Sequence, residues 1–170
     1  MVTTVDLAGA REVAAAVPDP ELPMVTLADL GILRDVSEED GQVVVTITPT
    51  YSGCPALTQI RRDLAARLAA AGLRDAQVRT RLSPPWSSDW ITAPGRRKLA
   101  AAGIAPPAGS GTPAANGPVP LSLGPVRLAV ACPLCGSAST ERTAAFSGTA
   151  CKDLYRCLAC AEPFEHVKEI

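Results

Sequence analysis

Apolar positions first recur at helical spacing, at Leu7, Ala10, Val13 or Ala14, and Val17, and the run stops at Pro18 and Pro20. A short amphipathic helix is expected there. Ile32 to Val36 and Val43 to Thr48 are rich in β-branched and aliphatic residues, and the Asp-Gly pair within Ser37–Gln42 between them is strong hairpin chemistry. Beyond Cys54-Pro55 the period returns to that of a helix, with Leu57, Ile60, Leu64 and Leu68 on one stripe, Asp63 and Arg67 paired on the surface, and Gly72 at the end. Val78, Thr80 and Leu82 alternate as a third strand before Ser83-Pro84-Pro85, and Pro94 to Ala102 reads as a last short helix ended by Gly103. The order αββαβα predicts an α+β sandwich, with helices packed on one face of a small mixed sheet.

From Gly103 to Arg127 the pattern disappears: nearly half of the residues are Gly or Pro, and the only charge is Arg127. This stretch reads as a linker. It divides the chain into a first domain, 1–102, a connector, 103–127, and a tail, 128–170, too small to fold on a hydrophobic core without a metal or disulfides. The 170 residues and 47% hydrophobic content suffice for one core in the larger part.

The tail carries Cys132-Pro-Leu-Cys135-Gly and Cys157-Leu-Ala-Cys160. A C-x-x-C turn brings two thiolates to one point, and two such knuckles offer the four tetrahedral ligands that zinc prefers. The gap between them is long enough for a hairpin that folds one knuckle onto the other. Zinc is the expected ion and iron the rival, since tetrahedral four-cysteine sites also hold iron in electron carriers. With all four positions filled by protein, the metal builds structure and leaves no open site for catalysis. Cys151 is left over, a spare ligand, a reactive thiol or an incidental partly buried one.

Charge narrows the functions. Sixteen basic and 17 acidic residues give a formal net charge of -1, and the tail holds four basic against five acidic residues, so nucleic acid is not an expected partner and a protein partner is favoured. The first residues lack a basic stretch followed by an apolar run, and no segment is long enough to span a bilayer, so a cytoplasmic protein is expected. His166 is the only histidine, too few for a carboxylate-bridged di-iron site, and a Cys54–His166 nucleophilic pair would have to form across the linker. Gly109-Ser-Gly111-Thr-Pro-Ala114 follows no strand and opens no helix, so it is no dinucleotide motif.

Two further features carry chemistry. Thr48-Pro-Thr-Tyr-Ser-Gly-Cys54-Pro55 leaves a strand for a helix, so Cys54 sits where a helix N-terminus favours a thiolate; a cysteine chosen for size at a crowded turn fits the spacing equally well. Pro18-Asp19-Pro20-Glu21 places two carboxylates in a stiff segment, by itself an acidic turn.

Taken together, Asp19-Pro20-Glu21, the hairpin, Thr50-Tyr51-Ser52-Gly53-Cys54-Pro55 and Pro84-Pro85-Trp86-Ser87-Ser88-Asp89-Trp90 resemble the SufT-like, MIP-type domain of iron–sulfur assembly factors. With the knuckles and Thr149-Ala-Cys151-Lys-Asp-Leu-Tyr-Arg-Cys157 added, the whole chain resembles the PaaD-type subunit of the phenylacetyl-CoA ring-epoxidising oxygenase complex. The resemblance implies a non-catalytic accessory role in phenylacetate degradation, beside separate oxygenase and reductase subunits that carry the di-iron centre and the flavin and iron–sulfur groups. It implies that Cys54 holds or hands over iron or a transient iron–sulfur cluster, and that Asp19 and Glu21 match the family's acids. A connector longer than the family requires leaves the mutual orientation of the domains open, and a homodimer stays open too.

Two rival classes compete with maturation. In a scaffold, Trp86, Trp90 and the ribbon surface would dock oxygenase and reductase while Cys54 only packs, although a loop tryptophan capping its own core is at least as common. A thiol redox enzyme would use Cys54 and Cys151, but the chain has no redox C-x-x-C outside the knuckles.

Overall fold

A computed structural model describes residues 6–109 and 130–170, which fall into two compact units, Met1–Lys98 with Ile170, and Leu99–Glu169. In the first, α1 (Leu7–Ala15) is capped by Asp6, whose carboxylate accepts from the Gly9 amide, and it buries Ala10 and Ala14. Strands β1 (Leu33–Glu39) and β2 (Gln42–Ile47) form the expected hairpin. The turn is tighter than the loop expected over 37–42, because Asp40 and Gly41 both take positive φ, 50° and 77°, so two residues suffice to reverse the chain.

Helix α2 (Leu57–Ala70) buries Ile60, Leu64 and Leu68 and then returns the chain so that β3 (Gln77–Thr80) lies parallel to β2. A parallel neighbour requires such a crossover. The sheet order β1-β2-β3 makes β2 central, which explains why Val43, Val44 and Val45 are all buried in sequence instead of alternating with polar residues. Leu82, expected on β3, lies past its end and is 54% exposed. Asp63, expected beside Arg67, instead accepts from the Gln59 side chain one turn back. Helix α3 (Ala93–Ala101) completes the αββαβα order of an α+β fold.

Trp86 is core: it is 3% exposed and its indole N–H donates to the Leu30 carbonyl at 2.9 Å. Its burial leaves it no surface to offer a partner. Trp90 is half-buried, with the Arg34 guanidinium 3.5 Å above its ring.

The second unit contains the four-stranded sheet β4-β7-β6-β5, made of β4 (Ile104–Ala105), β5 (Thr140–Ala144), β6 (Lys152–Cys157) and β7 (Pro163–Val167). Strands β5, β6 and β7 are antiparallel neighbours, and β4 runs parallel to β7. Most of the connector expected over 103–127 lies outside the described residues, from 110 onward. Of its first residues, Ile104–Ala105 are a strand; two buried residues among prolines are too few to show a period. The apolar core is small, chiefly Ala105, Val130, Tyr155 and Phe164 with Cys132 and Cys157, and the two aromatic rings stack with centroids 5.8 Å apart.

Asp29 ties the first unit's loop to α3. Its carboxylate accepts from the Thr26 amide and from Lys98 Nζ at 2.6 Å. Burial pushes its pKa up, but Lys98 and Thr26 outweigh this and leave it below the ordinary 3.8. A lowered folded pKa adds stability above the unfolded value that is lost as pH falls through the folded one. Asp29→Asn is therefore expected to cost about 1 kcal/mol at pH 7, held to that size by the half-exposed lysine, with the deficit fading toward pH 3. Urea titrations followed by tryptophan fluorescence check this, because both tryptophans lie in the first unit.

Candidate metal centre and the Cys54 loop

Each C-x-x-C turn is built the same way. The Cys132 amide donates to the Ser137 carbonyl and the Cys157 amide to the Glu162 carbonyl, both at 2.9 Å and both five residues on. The residue after each second cysteine is left-handed, Gly136 at φ 75° and Ala161 at φ 65°. The turns are held from outside as well, where the Leu158 amide donates to the Ser139 carbonyl at 2.8 Å. The hairpin of β5 and β6 occupies the gap between the knuckles and lays the second against the first.

As a result the four sulfurs of Cys132, Cys135, Cys157 and Cys160 lie within 4.8 Å of one another. Cys132 to Cys160 is 3.8 Å and Cys135 to Cys157 is 3.5 Å. Disulfides are excluded at these distances, and none of the six cysteines is disulfide-bonded. A regular tetrahedron with metal–sulfur bonds of about 2.3 Å has edges of about 3.8 Å, so the spacing fits a zinc-sized ion. Cys132 and Cys157 are buried, and Cys135 and Cys160 face the surface.

Four thiols this close cannot all lose their protons unaided. The Cys160 amide, followed by other donors, holds the Cys157 thiol down to about 6. At Cys160 the Glu162 amide lowers the pKa, but burial and the three neighbouring thiols together push it up to about 12. Like charges split the set in this way, and a bound cation removes the conflict. Cys151 is outside the cluster, half-buried, with its sulfur 3.1 Å from Thr149 Oγ1.

In the first unit, Cys54 is half-buried in the turn before α2. Its amide donates to the Tyr51 carbonyl and its own carbonyl accepts from Leu57, both at 3.2 Å. Ala56 is the N-cap, so Cys54 and Pro55 precede the first helical turn and Pro55 is not its first residue. Asp19 is 6% exposed, and one of its carboxylate oxygens accepts from the amides of Glu21 and Leu22, each at 2.9 Å. That oxygen closes the turn. Among the described residues, the four cysteines are the only converging group of three or more metal-ligating side chains, and neither Cys54, Asp19 nor Glu21 belongs to it.

Sequence reading missed a buried polar pair. Asp153 and His166 sit opposite each other on β6 and β7, are 4% and 2% exposed, and join Oδ1 to Nδ1 at 2.8 Å. The sequence signal, two polar residues on otherwise apolar strands, has meaning only once the strand register is known.

Fold and cysteine cluster together define a small α+β domain followed by a four-cysteine ribbon. The family model for iron–sulfur cluster assembly proteins matches residues 10–80, and that for the PaaD zinc beta ribbon domain matches residues 117–168. Over 152 residues, 89% of this chain and 86% of the relative, the sequence is 40% identical to a putative 1,2-phenylacetyl-CoA epoxidase subunit of Escherichia coli. The chain belongs to this PaaD family. Its first part is also 37% identical, over 43% of this chain and 72% of the relative, to the Fe-S protein maturation auxiliary factor YitW of Bacillus subtilis. A crystal structure of a domain of unknown function, DUF59, from Bacillus anthracis superposes with a TM-score of 0.50 at 30% identity, covering 55% of this chain and 90% of that one.

The unequal residues after the two knuckles give a direct test. Left-handed backbone is costly for alanine and open to glycine, so Ala161→Gly is expected to stabilise the metal-loaded protein by about 1 kcal/mol and Gly136→Ala to destabilise it by at least as much. The thermal midpoints of the two variants, compared with wild type, check both signs.

Proposed function

We propose that this chain is a non-catalytic accessory subunit of a phenylacetyl-CoA epoxidase, acting in phenylacetate degradation, and that it assists maturation of the metal centres in that complex. What supports the reading is the pairing, in one chain, of an iron–sulfur assembly domain with the PaaD ribbon, together with likeness to an epoxidase subunit along almost its full length. In this account Cys132, Cys135, Cys157 and Cys160 hold a structural zinc ion, and the ribbon they fold is the docking surface for the oxygenase and reductase subunits. Zinc has no redox chemistry, and a full set of four thiolates leaves it no position for substrate.

Cys54 is the residue through which iron or an iron–sulfur cluster passes as cargo. It is half-buried, so reachable, and lies in the turn that leads into α2. Asp19 and Glu21 are the acids of the neighbouring turn, which Asp19 shapes by accepting from the amides of Glu21 and Leu22.

Scaffolding without metal handling is the second reading, and it needs only the exposed Leu134 and Leu158, one within each knuckle, as anchors. The two readings separate in cells that depend on this chain for epoxidase activity. Under maturation, Cys54→Ser leaves the fold and co-purification with the oxygenase intact but yields oxygenase depleted of iron. Normal iron content in that complex would sink the maturation role. Under scaffolding, Leu134→Ser with Leu158→Ser abolishes co-purification and Cys54→Ser does nothing.

A further inference from the structure

We propose that His166 and Glu169 form a second metal site in the ribbon, one that takes a divalent first-row transition ion through nitrogen and oxygen. The imidazole is 2% exposed, and its Nδ1 lies 2.8 Å from a carboxylate oxygen of Asp153, itself 4% exposed. With the proton held at Nδ1 by that carboxylate, Nε2 presents its lone pair, the arrangement in which metal-binding histidines are usually fixed. Nε2 is buried and makes no hydrogen bond among the described residues. Buried ring nitrogens normally find a partner, so an orphan one points to something that binds there.

The nearest anionic group is the carboxylate of Glu169, whose Oε1 stands 3.7 Å from Nε2. That is too long for a hydrogen bond. It suits two ligands of one metal: an ion about 2.1 Å from both atoms would subtend about 124°, an open tetrahedral angle. A water bridging them at hydrogen-bond length, about 2.8 Å from each, would be squeezed to about 83°. The glutamate is already oriented, because Oε1 accepts from the Ala108 amide at 3.1 Å. His166 and Glu169 both border a cavity of about 250 Å³ beside Pro107, Ala108 and Val130, which gives solvent ligands room to complete the shell. Imidazole with carboxylate suits zinc, iron(II), cobalt(II) or nickel(II), a donor set unlike the four thiolates of the knuckles.

An alternative use of the same groups is an imidazolium clamped between Asp153 and Glu169, which would repel a cation. Titrating the zinc-loaded full-length protein with cobalt(II), by calorimetry and absorption, distinguishes the two. One further equivalent is expected, with weak visible bands and no sulfur-to-cobalt charge transfer. Glu169→Gln should weaken it at least about 10-fold and Asp153→Asn by about 10- to 100-fold, while the zinc of the knuckles stays at one per chain. The side chain of Glu169 is 25% exposed, so that variant keeps the fold even if changes at buried Asp153 do not. No cobalt uptake, uptake only with sulfur charge transfer, or unchanged affinity in Glu169→Gln overturns the proposal.

Discussion

Four thiols brought within 4.8 Å of one another set the terms for the whole second unit. Without a cation they would repel as thiolates or crowd as thiols, and the buried core of a few side chains beside them is too small to offset that cost together with the loss of chain entropy. A metal ion reverses the balance, because each ligand bond is also a folding contact. The sheet depends on it in turn: β5 and β6 connect the knuckles, and β6 is the strand on which β7 pairs.

The first unit rests on a different footing. Its central strand is buried along nearly its whole length, so hydrophobic burial alone supports it, and no ligand is needed to hold Val44, Val45 and Ile47 in place. In the proposed maturation role, that independence lets the turn at Cys54 serve chemistry without disturbing the core. The loop is carried by a rigid strand behind it and a rigid helix ahead of it, the arrangement by which reactive residues are positioned without being buried.

Much of this was legible in the sequence because it rests on local rules. The stripe of Ile60, Leu64 and Leu68, the Asp40-Gly41 turn and the two C-x-x-C knuckles each state their structure within a few residues. What was not legible depends on long-range register. Ile104–Ala105 become a strand only because β7 lies beside them, and Asp153 meets His166 only because β6 and β7 pair in one register. Trp86 shows the same limit: a tryptophan in a Pro-rich loop reads as a surface anchor or as a cap on its own core until the fold supplies the Leu30 carbonyl that satisfies it.

The central claim is that metal folds the ribbon while the first unit stands alone, and amide hydrogen exchange before and after chelation, with the metal released counted, tests it most directly. The account predicts one zinc per chain, loss of protection through β5, β6 and β7 on its removal, and unchanged protection in α2 and β2. Ribbon protection that survives complete removal of the metal would contradict it.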